Sequence, residues 1–187
     1  MEIGRDPIRE GLRQMSIPDA AWRTAYAKQS FSDFQTYEYL CDAKGLPHCH
    51  RLHYLQMCLE KLCKAYRYDR PLDELSLRNL QSTHGVIAKI LPQIVREHWR
   101  QVGLGSARKD QLQRVREICR ELDLLAPSVD DGGRRPDNVE YPWPSPEGVG
   151  MNVPCEYKFA IDQRLRSSDG RMLLKVAAAA LALLASR

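Results

Sequence analysis

The stretch Leu52–Tyr68, LHYLQMCLEKLCKAYRY, decides the fold of this chain. Its apolar residues recur at alternating steps of three and four, which is the spacing of one face of an α-helix. The members of this stripe are Leu52, Leu55, Leu59, Leu62 and Tyr66, and Tyr54, Cys58, Cys63 and Ala65 widen it. The polar residues Gln56, Glu60 and Lys64 are predicted on the opposite side. A helix that is apolar over about half its girth needs neighbours on several sides, which indicates a helical bundle.

Similar apolar periodicity predicts helices on both sides of this stretch. They are expected over about 19–41, about 84–99, a segment that contains Leu112–Leu125, and about 168–186. Pro92 lies inside the second of these, so a kink or a break is expected near Ala88. No strand-like alternation and no internal repeat stands out. The predicted fold class is therefore all-α, a bundle of about five main helices.

The chain changes character between Pro127 and Pro154, where six of its eleven prolines fall. A long irregular segment inside a compact domain is usually functional or disordered. Tyr141 and Trp143 argue against disorder, because aromatic rings find something to pack on. We expect an ordered irregular strap over 127–160, with Tyr141 and Trp143 as partner-binding residues. Residues 1–15 are expected to form an N-terminal arm, and residues 16–187 a single helical domain.

Composition limits the classes of protein to consider. Hydrophobic content of 43% with 28% charged residues and a net charge of +4 is ordinary for a globular protein. The longest apolar run, Val176–Ala185, is about half the ~20 residues that a membrane span needs. With no secretory leader pattern and with cysteines inside helical patterns, the chain is predicted to be cytoplasmic with reduced thiols. No phosphate loop, dinucleotide turn, nucleophile elbow or zinc-protease motif occurs, and no cofactor is predicted.

One cluster of residues invites a metal-binding interpretation. Cys41, His48, Cys49, His50 and His53 lie within a short stretch of the chain. Zinc requires four converging nitrogen or sulfur ligands, and no Cys-x-x-Cys pair occurs here. We therefore predict no metal, with a metal-binding regulator kept as a weaker alternative.

A second constellation could cleave RNA. Arg78 and Asn79 precede His84 by a few residues, and His84 follows Ser82 and Thr83. Histidine can move a proton to or from a ribose hydroxyl or leaving oxygen, and arginine can hold the phosphate charge. The structural alternative is that His84 occupies the first turn of a helix and bonds a nearby carbonyl. Both interpretations stay open from the residues alone.

The chain resembles the HEPN family of helical domains. Many members pass from a leucine-rich helix ending in Glu-Lys-x-x-Lys-Ala-Tyr to a Thr-His that opens the next helix. Here the corresponding residues are Glu60–Tyr66, EKLCKAY, followed by Thr83 and His84. The preceding aromatic helix, with Phe31, Phe34 and Tyr37, is also similar, and the resemblance covers about 19–99.

The resemblance implies two functions. Catalytic members are metal-independent ribonucleases with an Arg-x4–6-His motif, which Arg78, Asn79 and His84 match, although that motif usually opens a later helix. Other members are non-catalytic subunits of bacterial defence, toxin–antitoxin or regulatory complexes, often as dimers or beside a partner protein. The expected function is a non-catalytic binding subunit, a homodimer or hetero-complex with a protein, RNA or nucleotide partner. The alternative is a metal-independent ribonuclease.

Overall fold

The architecture is all-α. The computed structural model describes residues 17–70, 80, 83–103, 108–127, 135–146 and 148–186. Its helices in these ranges are α1 Asp19–Asp42, α2 His48–Tyr68, α3 Ile87–His98, α4 Lys109–Leu124, α5 Ala160–Leu165 and α6 Ser168–Ala185. A single 3-10 turn, Trp99–Val102, continues α3. Two short strands, β1 Trp143–Pro144 and β2 Met151–Asn152, pair antiparallel. The predicted N-terminal arm, residues 1–15, lies outside the described residues.

Helix α2 is buried along its length, as its wide apolar stripe predicts. Leu52, Leu55, Leu59 and Leu62 have no exposed surface. A short connection follows α1, and α2 then packs against α1. The aromatic residues of α1 pack against the hydrophobic core. The aromatic residues concerned are Trp22, Tyr26, Phe34 and Tyr37. Burial of this kind stabilises by about 1.5–3 kcal/mol for each large apolar side chain.

Helix α6 contacts every other α-helix among the described residues. It begins where the Ser167 hydroxyl accepts a hydrogen bond from the amide of Gly170, a favourable N-terminal cap. Two of its small residues, Ala177 and Ala180, are fully buried. Small side chains allow backbones to approach closely, so the buried face of α6 can lie against its neighbouring helices.

The elements differ from the sequence-based expectation in several respects, and α2 begins at His48 rather than at Leu52. Helix α3 begins at Ile87, three residues after His84, and it continues through Pro92 to His98 without a break. Helix α5 was not expected, because its six residues are too few to show a helical repeat in the sequence. The β1–β2 pair was not expected either, since two-residue strands are too short to show alternation.

The described part of the predicted strap, residues 135–146 and 148–159, is held by local polar contacts and by aromatic packing. The buried Asn138 amide donates to the carbonyls of Arg135 and Tyr141, and its oxygen accepts from the amides of Glu140 and Tyr141. The Val139 amide donates to the Leu125 carbonyl at 3.0 Å, which ties the segment to the end of α4. None of the helices in the described ranges is long and apolar enough to cross a membrane.

Glycine is needed at position 170 because the backbone of Arg164 and Leu165 lies too close for a side chain. A Cβ atom added there would lie 2.3 Å from the carbonyl oxygen of Arg164 and 2.5 Å from the Cα atom of Leu165. We therefore expect Gly170→Ala to lower the free energy of unfolding by about 1–3 kcal/mol, because backbone has to shift. Urea denaturation measures this loss.

Gly85→Ala is the matched control for this substitution. A Cβ atom at Gly85 would meet its nearest atom, Oδ2 of Asp123, at 3.8 Å, an ordinary contact. The Gly85→Ala variant is expected to stay within about 1 kcal/mol of the wild type. Equal stability of the two variants would contradict the close approach at Gly170.

Candidate functional site

His84 is held by a carboxylate of α2. Its Nδ1 atom lies 3.0 Å from Oε2 of Glu60. A carboxylate oxygen only accepts, so the imidazole carries a hydrogen on Nδ1 in this contact. The His84 side chain is 59% exposed, so most of the imidazole ring lies at the surface. The structural alternative expected a loop carbonyl as the acceptor for His84, whereas the observed acceptor is the carboxylate of Glu60.

The carboxylate that holds His84 belongs to a buried polar stripe. Lys64 Nζ lies 2.8 Å from Oε1 of Glu60, and Gln56 donates to Oε2 at 3.0 Å. These three side chains were predicted on the side of α2 opposite the core, yet all three residues are buried. Their spacing of four residues is the signal that could have shown that they bond one another. The apolar periodicity of α2 could not show that this side is covered as well.

Aromatic rings from α1 and α2 pack beside this stripe. Trp22, Tyr26 and Tyr68 stack on one another with ring centroids 5.7–6.3 Å apart. The Lys64 ammonium group lies 5.8 Å from the centre of the Tyr26 ring, within the range of a cation–π contact. Burial, and next the negative charge of Glu60, raise the pKa of the Tyr26 hydroxyl. The phenol therefore stays protonated and can donate a hydrogen bond.

Asp123 of α4 positions the start of α3 next to His84. Its Oδ1 atom accepts the Ile87 amide at 2.9 Å, which satisfies a free donor at the helix N-terminus. Burial raises the pKa of Asp123, against the opposing effect of the Ile87 and Ala88 amides. Asp123 thus joins the last turn of α4 to the first turn of α3.

The described residues around His84 supply only part of what RNA cleavage requires. A histidine that is oriented by a carboxylate, with most of its ring at the surface, can act as a general acid or base. Cleavage of a phosphodiester also needs a cation to hold the phosphate. The residues predicted for that role, Arg78 and Asn79, lie outside the described residues. Among the described residues, His84 contacts Glu60, and Glu60 in turn contacts Lys64 and Gln56.

The two residues predicted to bind a partner differ in their exposure to solvent. Tyr141 is 53% exposed and stays available at the surface. Trp143 is 1% exposed, and its ring lies edge-on to Tyr157 at 4.9 Å and near Phe159. A partner-binding role for Trp143 is therefore corrected to a core role, because its indole is already covered by its own chain.

The residues considered for metal binding do not converge. His48 Nδ1 lies 2.7 Å from Oδ2 of Asp162, whose other oxygen accepts from Arg51 at 2.6 Å. Cys41 is exposed and Cys49 is buried. Within the described ranges, no three histidine, cysteine, aspartate or glutamate side chains are placed to hold one metal ion.

The cysteines predicted as small core residues are buried. Cys58, Cys63 and Cys119 have no exposed surface. Burial raises the pKa of Cys58 to about 12 and shifts the pKa values of Cys63 and Cys119 in the same direction. Because the thiolate is the reactive form, these thiols are unsuited to nucleophilic chemistry.

A second candidate site is a groove between α3 and α4, here called the basic groove. It encloses about 340 Å³ and is lined by Ala88, Lys89, Pro92, Gln93, Arg96, Leu112, Val115, Arg116 and Arg120. Its four cationic side chains are exposed, and none of them forms an ion pair with another described residue. In the sequence, Arg116 and Arg120 alternate with acidic residues and do not stand out as a basic cluster. Only the packing of α3 on α4 reveals that Lys89 and Arg96 join them.

The acidic residues of these two helices are engaged elsewhere. Glu97 of α3 pairs with Arg70, and Glu117 and Glu121 of α4 both pair with Arg164. Asp110 pairs with Arg114, and Asp123 accepts the Ile87 amide. The positive charge of the basic groove is therefore not compensated by its own helices.

Comparisons with known proteins identify no relative. The chain matches no protein-family model, and no curated protein and no solved structure gives a significant match.

The buried Glu60–Lys64 pair is expected to contribute strongly to stability. Glu60→Gln keeps the shape of the side chain but removes the buried negative charge that lies 2.8 Å from the Lys64 ammonium group. We expect the free energy of unfolding to fall by about 3 kcal/mol or more, as for other broken buried pairs. Urea denaturation monitored by circular dichroism measures the change.

Glu97→Gln is the matched control, because it makes the same substitution in the exposed pair with Arg70. Its effect is expected to stay within about 1 kcal/mol. If the two variants lost equal stability, the buried stripe would not be the stabilising feature described above.

Proposed function

We propose that this chain is a HEPN-like helical-bundle protein that serves as a non-catalytic binding subunit of a bacterial defence, toxin–antitoxin or regulatory complex in the cytoplasm. The observation that carries this proposal is the basic groove. Four cationic side chains share one concave surface without compensating acids, and such surfaces attract oppositely charged partners. The Glu60–Lys64–Tyr66 motif and Thr83-His84 support the choice of family. A homodimer or a complex with a second protein is the expected assembly.

The basic groove also gives this proposal a direct test. We expect the tagged chain, purified from its native cells at low salt, to retain a stoichiometric partner or a second copy. Arg116→Gln with Arg120→Gln should remove that partner, because half of the groove charge is lost. Light scattering after size exclusion measures the assembly.

Lys109→Gln with Arg100→Gln is the matched control. It removes the same charge from exposed positions that do not line the basic groove, and it should leave the assembly unchanged. A lone monomer for the wild-type chain, or equal loss in both double variants, would count against a binding subunit that uses this groove.

One observation favours the ribonuclease alternative. His84 is oriented by Glu60 yet 59% exposed, as a general acid or base would be. On the main proposal, we expect no RNA cleavage above background in EDTA by the wild type or by His84→Ala. The assay is a time course on a labelled oligonucleotide at high protein concentration. Cleavage by the wild type that falls at least about 100-fold in His84→Ala, with thermal stability retained, would establish the alternative instead.

A further inference from the structure

We propose that the basic groove binds an acidic amphipathic segment of a partner protein. This inference rests on the proposed binding function and specifies the chemistry of the partner. The site combines a cationic rim with an apolar floor, and each of these features restricts the ligand in a different way.

The rim requires negative charge. Lys89 and Arg96 lie on α3, and Arg116 and Arg120 lie on α4. The four are exposed, and the neighbouring glutamates are turned toward Arg70 and Arg164. An acidic ligand would therefore replace no internal ion pair when it enters. Charges of this kind chiefly accelerate and select the encounter.

The floor requires apolar contact. It consists of Ala88 and Pro92 from α3 and Leu112 and Val115 from α4. The short side chains of Ala88 and Pro92 leave room between the cationic residues for an inserted side chain. Apolar surface buried there would strengthen binding, because it is removed from water. A ligand that offers only charge would leave this floor uncovered.

The composition of the groove disfavours single-stranded nucleic acid. Proteins that hold single strands use aromatic side chains on which the bases stack. None of the described residues that line the groove is aromatic, and the nearby Trp99 is buried in the core. From Lys89 to Arg96 the groove follows α3 for about 10 Å, enough for two apolar side chains of a short helix. A helix laid in a groove by its apolar face is a common mode of peptide recognition.

The experiment compares three labelled probes by fluorescence anisotropy. One is a glutamate-rich helical peptide with two leucines one turn apart, and the second replaces both leucines by serine. The third is an oligouridylate of equal net charge. We expect the leucine peptide to bind most tightly and the serine peptide to bind at least about tenfold more weakly. Amide shifts of the isotope-labelled protein should map this binding to α3 and α4.

Two variants locate the site. Arg116→Gln with Arg120→Gln should weaken the leucine peptide by about tenfold, whereas Lys109→Gln with Arg100→Gln should leave its affinity within about twofold. Equal binding of the leucine and serine peptides, tighter binding of the oligouridylate, or no binding of either peptide would overturn the inference. Tight oligouridylate binding that depends on Arg116 and Arg120 would still leave the proposed binding subunit standing, with a nucleic-acid partner. Failure of that broader function is read from the assembly measurement instead.

Discussion

The ion pair between Glu60 and Lys64 is the constraint around which this bundle is organised. Two charges inside a core cost several kcal/mol each unless they pair and their remaining hydrogen-bonding groups are satisfied. Glu60 meets this condition with three partners, Lys64, Gln56 and His84. The surrounding aromatic rings of α1 exclude water from Lys64 but offer it a π face. Helix α2 can therefore be buried on its polar side as well as on its leucine stripe.

This constraint also explains where His84 lies. The chain before α3 brings the imidazole onto Glu60, and Asp123 accepts the first amide of α3. Two carboxylates from two different helices thus determine the entry of α3 into the bundle. The contact with Glu60 holds the His84 ring in place, although the side chain is 59% exposed. The same geometry would serve catalysis only if a cation for the phosphate stood beside it.

Residues that express a local period were predictable, and residues that depend on distant contacts were not. The leucine stripe of α2 and the apolar stripe of α4 follow the helical repeat, so their burial could be inferred. Trp143 was misjudged because a proline-rich segment has no period, and its cover by Tyr157 and Phe159 exists only after the segment packs. Gln56 and Lys64 were misjudged for the opposite reason. Their polarity suggested solvent, although their spacing suits mutual bonding.

The positive charge of the basic groove depends on where the acidic side chains of α3 and α4 form their ion pairs. On α4, Glu117 and Glu121 turn toward Arg164 of α5 and so help hold that short helix. Because these acids pair with Arg164, they form no ion pair with Arg116 and Arg120, which line the groove beside α3. Asp123, bonded to the start of α3, fixes α3 against α4, and Lys89 and Arg120 both line the groove between these helices. The contacts that stabilise the fold therefore also concentrate uncompensated positive charge at one surface, where an acidic partner would find it.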